Sequence, residues 1–278
     1  MKESFAYCAD RVRDADRDRY LAALFAPADK RGALFALYAF DVEIVQVREL
    51  ARELMPGEIR LQWWREVLFG ERAGEAAANP VAAALTEIFG RYAFIRDPLV
   101  DMVEAHRFDI HNEQMASVEE LLCYASRTAG AVFGLAARLL GGEISQVVTT
   151  ESGSAQTIAD VLSRLPRHAA RRQLYVPLDI LRHYGVDPED VFAMRATPAL
   201  RAALAELRLR ARRSLEGVVA VEIPETIQPV FLPLAPLRQW LLDMEKAGYD
   251  PFQPPPVAPW RRQWRIWRAA RSFRRIGT

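Results

Sequence analysis

Asp41, Glu43 and Glu49 fall on one stretch of helical spacing, and carboxylates grouped on a helix are the oxygen donors that a hard divalent cation requires. The competing reading is a set of ordinary helix carboxylates, solvated or paired with a neighbour such as Arg48 or Arg52. Arg164, Arg167, His168, Arg171 and Arg172 form the densest basic cluster in the body of the chain. Guanidinium forks match phosphate bidentately, so their chemistry would be metal-free capture of an anion, against the alternative of a solvated positive face. Asp101, Glu104, His106, Asp109 and His111 are metal-ligand types, yet only some of them can share a helix face, and charged surface is the expectation. Arg60, Trp63, Trp64 and Arg65 combine the residue types that anchor protein interfaces, although a tryptophan buried under an arginine stem would use the same residues. Beyond Asp250 no acidic residue follows. There Trp260, Trp264 and Trp267 make one narrow helical stripe among arginines 261, 262, 265, 268, 271, 274 and 275, the pattern of an interfacial helix on an anionic membrane. Arg271 shares that stripe and shortens it, so a helix packed back on the body competes.

The elements that must position these groups are helices. Phe40, Ile44, Val47, Ala51 and Leu54 recur on one stripe, and Ala-, Arg- and Leu-rich blocks repeat the habit. The spacing predicts helices over about 3–24, 28–54, 58–70, 80–90, 97–113, 117–140, 143–165, 178–184, 188–194, 197–220 and 230–246. Pro56-Gly57, Gly141-Gly142, Pro166 and Pro177 set breaks, because proline lacks the amide proton and restricts the residue before it. No strand pattern and no repeat is present, and Pro251 to Pro259 reads as an extended strap. The expected division is therefore one helical domain over 1–250, followed by the strap and basic tail over 251–278.

With 51% hydrophobic and 26% charged residues and a net charge of +1, the composition is that of a globular protein and excludes a nucleic-acid binder. Cys8 and Cys123 stand far apart with no ligand pattern around them, so neither a disulfide framework nor a zinc site is expected. Arg138 interrupts the best apolar run, Thr128 to Leu140, which leaves no segment of spanning length. Asp10, Asp14, Asp16 and Asp18 argue against a secretory signal or a mitochondrial presequence in the first twenty residues.

Three blocks in order carry a family resemblance. Lys30 to Phe40 resembles the helix leading into the first aspartate-rich motif of squalene and phytoene synthases. Tyr124-Ala125-Ser126-Arg127-Thr128-Ala129-Gly130-Ala131-Val132 resembles their Tyr/Arg/Ala-Gly helix, and Gly153 through Arg171-Arg172-Gln173-Leu174-Tyr175-Val176-Pro177 resembles their second aspartate-rich helix and its exit. The resemblance implies an all-α isoprenoid synthase fold, a helical bundle around a central cavity. It places Tyr38, Asp41, Tyr124, Arg127, Gly130, Arg171 and Tyr175 on the cavity wall or a ligand, Gly130 permitting close helix approach; ordinary core packing is the alternative. In such synthases, carboxylates at i and i+4 face one cavity and hold Mg²⁺ against a prenyl diphosphate.

The metal-binding positions depart from that pattern. The first acidic cluster falls on Val45, Gln46 and Glu49, leaving one carboxylate of three. In the second motif the two aspartates fall on Arg164 and His168, and Asp160 replaces an asparagine, with Pro166 expected to end the helix near Leu165. The Ser-Phe dipeptide of the family falls on Asp18-Arg19. The chain is similar at these very positions to a branch of complex I assembly factors, through Ala39 to Glu49, Ile59 to Arg65 and Arg164 to Asp179. That branch implies a non-catalytic protein, without metal or cofactor, acting on complex I subunits or assembly intermediates. It implies a cytoplasmic location peripheral to the inner membrane, on the matrix side in a eukaryote. Two alternatives stay open: a Mg²⁺-dependent prenyltransferase joining two prenyl diphosphates, and a carrier or sensor of a prenyl lipid or other anionic ligand.

Overall fold

The computed structural model describes residues 3–50, 53–254 and 258–273. The strap residues Pro255 and Pro256, the stripe and pairing residues Ala51 and Arg52, and the tail arginines Arg274 and Arg275 lie outside the described residues. Within them the chain is helical, and the only β-type pairing is an isolated parallel bridge between Gln114 and Leu174.

The expected helix over 3–24 is two helices, α1 (Glu3–Ala15) and α2 (Arg17–Ala23), because the Asp16 side chain accepts the Arg19 amide at 3.0 Å and caps α2. Helix α3 (Ala28–Leu50) ends before Leu54, which opens α4 (Leu54–Phe69) and is exposed instead of continuing the α3 stripe. Gly70, at φ 83°, closes α4 in the left-handed conformation. A short α5 (Ala73–Ala78), unmarked by periodicity, precedes α6 (Pro80–Phe89), where Asn79 accepts the amides of Val81 and Ala82 at 3.0 Å. The expected helix over 97–113 turns at His106, giving α7 (Arg96–Ala105) and α8 (Arg107–His111). α9 (Val118–Ala125) passes through one π turn (Ser126–Gly130) directly into α10 (Ala131–Leu139), as a single run over 117–140 requires.

α11 (Gln146–Ser163) stops before Pro166, but Pro166 occupies the first turn of a new helix, α12 (Leu165–Ala170), where its missing N–H has no intrahelical partner to lose. α13 (Leu178–His183), α14 (Pro188–Phe192) and α15 (Pro198–Val219) follow. Pro233 and Pro236 split the expected 230–246 helix into α16 (Gln228–Phe231), a 3₁₀ turn and α17 (Leu237–Asp243). Pro259 does not belong to the strap; it opens α18 (Pro259–Arg271).

These helices form two compact units with interleaved segments. In the unit made of residues 1–111, 131–145 and 223–233, α3 is the centre, packed by α1, α4, α6 and α10. Residues 33 to 44 of α3 are buried without interruption, so this helix is enclosed on all sides. In the unit made of residues 112–130, 146–222 and 234–278, α11 is the centre, packed by α9, the π turn, α15 and α17.

Candidate functional site

In the first unit, α3 presents the carboxylates singled out in the sequence, and arginines from other helices reach them. Arg19 of α2 donates to the Asp41 carboxylate, and both side chains are about nine-tenths buried. The same guanidinium lies 5.4 Å from the centroid of the Tyr38 ring, which is itself buried. Burial opposes the Arg19 charge, but Asp41 and Asp16 outweigh it and raise its pKa; burial also pushes the Tyr38 hydroxyl well up. Two residues further along, Glu43 accepts Arg11 Nε at 2.9 Å through one oxygen and Arg60 Nη2 at 2.9 Å through the other. Arg11 Nη2 also donates to Gln46 Oε1, so one guanidinium bridges two positions a helical turn apart on α3. Asp41 and Glu43 are thus paired, but with arginines of α1, α2 and α4 where the sequence had suggested a neighbour such as Arg48 or Arg52. Val45 and Glu49 lie half-buried on the same helix.

In the second unit one member of the basic cluster is engaged elsewhere. Arg172, at a positive φ of 54°, turns its guanidinium to Glu189 and over the Phe192 ring at 4.5 Å. Backbone bonds from Arg164 N to Asp160 O and from His168 N to Arg164 O, both 2.9 Å, carry the i, i+4 register across the Pro166 junction that the sequence placed in doubt. Asp160 accepts Gln156 Nε2 at 3.2 Å. His168 and Tyr175 approach to 4.5 Å between ring centroids, and Tyr124 stands 6.3 Å from Tyr175. Arg171 caps the end of α12 and Arg167 is exposed. Arg127 lies in the π turn that ends at Gly130.

Two sequence expectations are corrected by burial. Trp64 is not at a partner surface: only 1% exposed, it packs edge-on against Phe40 at 5.1 Å. Trp63 keeps partial exposure and donates Nε1 to Glu75 at 2.8 Å, while Arg65 Nε lies 3.4 Å from Glu104. His106 and Asp109 are not charged surface but a buried pair, 2.6 Å apart. Burial disfavours the imidazolium, but the Asp109 charge and hydrogen bond, with Asp41, hold the His106 pKa above its usual value. Glu104 pairs with Arg65 and Arg107, and His111 with Glu58, so among the described residues no three of this group converge as metal ligands.

Trp260, Trp264 and Trp267 stand out from α18, while Ile266 and Ala269 on another face are buried. Arg261, Arg268 and Arg271 stack over these three indoles at 5.3, 4.4 and 3.6 Å. The helix therefore packs back on its unit and presents the indole stripe at the same time. No helix among the described residues is long and apolar enough to cross a membrane.

Arg11 is a residue of consequence that sequence reasoning passed over, and Gly153, named there only as the start of a family block, was given no role. A Cβ on Gly153 would lie 2.5 Å from Gly130 N, so α11 and the π turn meet backbone to backbone. An arginine beside Cys8 and Val12, both fully buried, was the available signal for Arg11.

This arrangement of helices is the isoprenoid synthase fold. A crystal structure of a dehydrosqualene synthase superposes with a TM-score of 0.83 over 98% of this chain and 96% of that chain, at 20% identity. The squalene synthase HpnC from Alicyclobacillus acidocaldarius gives 0.77 over 90% and 95%, at 24% identity. Residues 12–268 match the squalene/phytoene synthase model, and the chain belongs to that family. Among curated relatives, the human protein named NADH dehydrogenase (ubiquinone) complex I, assembly factor 6, is 28% identical over 256 residues, covering 89% of this chain and 76% of its own. Phytoene synthase 3 of maize is 25% identical over 264 residues, covering 91% and 62%.

Proposed function

We propose that this chain is a non-catalytic member of the family that assists assembly of respiratory complex I at a membrane surface. The observation that carries the reading is the commitment of Asp41 and Glu43 to Arg19, Arg11 and Arg60. A cation would have to displace guanidinium groups from both carboxylates, and the motif positions themselves hold Val45, Gln46, Arg164 and His168. These residues do not fit a magnesium diphosphate centre. Similarity to an assembly factor over most of the chain supports the same reading.

Deleting the gene in its host should lower assembled complex I on native gels and NADH-driven respiration, with squalene and carotenoid unchanged. Normal complex I with missing triterpenoid or carotenoid would overturn the proposal in favour of a synthase. Rescue should survive Glu49→Ala. Arg60 and Arg65 serve Glu43 and Glu104, so reversing their charge would disturb the fold as well as any partner contact. Met55 and Ile59, on α4 and 66% and 63% exposed, are cleaner probes of a partner surface. If they are anchors, Met55→Ser with Ile59→Ser should cost about 2 kcal/mol or more of partner affinity and fail to rescue.

The indole stripe on α18 supports membrane attachment, since tryptophan favours the headgroup layer and the arginines around it attract anionic lipid. Replacing Trp260, Trp264 and Trp267 together by Ala should weaken sedimentation with phosphatidylglycerol-containing vesicles about tenfold or more. Folding should be retained because all three residues are exposed. Unchanged, salt-insensitive sedimentation would remove α18 from the membrane role.

A further inference from the structure

A cavity of about 480 Å³ opens within the second unit between α15 and the segment that follows α17. Arg201, Leu204 and Arg208 line it from one face of α15, and Met244, Lys246 and Tyr249 from the opposite side. Its size is that of a small-molecule site, and it mixes an apolar wall with convergent polar groups.

The charges around it do not cancel. Lys246 is held by Asp243 at 2.7 Å, and Glu245, the carboxylate on the rim, is held by Arg212 at 3.0 Å. Arg201 spends its donors on backbone carbonyls, those of Ala196 and Tyr249, which do not neutralise it. Arg208 Nε and the Tyr249 hydroxyl are buried without a hydrogen-bond partner. Among the described residues no carboxylate forms an ion pair with Arg201 or Arg208. Buried donors without partners are costly, and Glu245, the carboxylate whose charge reaches Arg208, is shared with Arg212. Burial works against the charge on Arg208 and pushes the Tyr249 hydroxyl up, so the phenol keeps its proton and remains a donor.

We propose that this cavity binds a phosphate monoester, with Arg208 and Arg201 supplying charge and the Tyr249 hydroxyl a third donor. A phosphate monoester carries about −1.5 to −2 charges and three acceptor oxygens, which matches two guanidinium groups and one hydroxyl better than a single carboxylate does. Leu204 and Met244 would cover the apolar body of the ester. The site lies outside the aspartate-rich motifs and stands whether or not the chain acts in assembly.

The test is calorimetric titration of the full chain with phenyl phosphate, accompanied by sedimentation with phosphatidylcholine vesicles containing phosphatidate. Phenyl phosphate should bind saturably at about 1 mM or tighter, Arg208→Met should weaken it about tenfold or more, and Tyr249→Phe severalfold. Arg208→Met removes a cation that has no ion-pair partner, so its Tm should equal or exceed that of the parent. Tyr249→Phe, nearly isosteric, carries the test should the other variant fail to fold. Phenyl phosphate binding that depends on Arg208 assigns a free phosphorylated ligand. Binding of phosphatidate vesicles alone, measured with Trp260, Trp264 and Trp267 replaced by Ala so that α18 does not contribute, and lost on adding Arg208→Met, assigns a lipid headgroup. Absence of any Arg208- or Tyr249-dependent binding of either probe overturns the site.

Discussion

Arg19→Met should lower the stability of the fold by about 3–5 kcal/mol, a large share of the ~5–15 kcal/mol that holds a typical domain together. The Asp41 carboxylate is about nine-tenths buried and takes its hydrogen bond from Arg19, so the variant leaves a charge in the core without its donor. Removing both partners, in Arg19→Met with Asp41→Leu, should recover most of the loss, because a buried ion pair replaced by apolar groups is often neutral. Urea unfolding of the parent, both single variants and the double variant measures the coupling directly. Burial raises the Asp16 pKa above its ordinary 3.8, and Arg19 opposes that rise, so removing Arg19 raises it further. A raised folded-state value means stability present at low pH and lost as pH rises through that value. The Arg19→Met deficit should therefore shrink as pH falls from neutral through the raised Asp16 value. A single-variant loss near zero would show that Arg19 and Asp41 do not hold each other, and the case against a metal centre at Asp41 would weaken with it.

The helices were legible because apolar spacing and proline mark them, and α3, α11 and α15 lie close to where that spacing put them. The breaks were less legible. Asp16 interrupts a run of good helix formers through its own hydrogen bond to the Arg19 amide, a local competition that periodicity does not register. The π turn escaped notice for the opposite reason, since one extra residue per turn leaves the apolar run from Thr128 unbroken. Departures from the synthase motifs were visible at Val45, Gln46, Arg164 and His168; what the arginines do about them was not. Arg11 and Glu43 stand 32 residues apart, and such pairing follows from how α1 packs on α3. Trp63 and Trp64 could have been separated: adjacent helical residues point about 100° apart. Leu61, Trp64 and Leu68 make the buried stripe, which leaves Trp63 outside it.

Gly153→Ala should lower stability by about 2–3 kcal/mol, the range of a core overpacked against groups that cannot turn away. The added Cβ would lie 2.5 Å from Gly130 N, 2.7 Å from Gly130 Cα and 2.8 Å from Ala125 O. All three are backbone atoms, so relief requires α11 to move off the π turn and α9, with which it shares the centre of its unit. Helix propensity alone predicts the reverse, a gain of up to about 1 kcal/mol for glycine to alanine in a helix interior. Gly217 of α15 supplies the control, because its Cβ would meet only the Glu151 side chain, at 3.5 Å. At about 2–4 °C per kcal/mol, Gly153→Ala should melt roughly 4–12 °C below the parent, and Gly217→Ala at or slightly above it. Calorimetric scans of the three proteins decide the point. Should Gly153→Ala melt at or above the parent, α11 and the π turn do not meet backbone to backbone, and the glycines of these two blocks would need an explanation other than close packing.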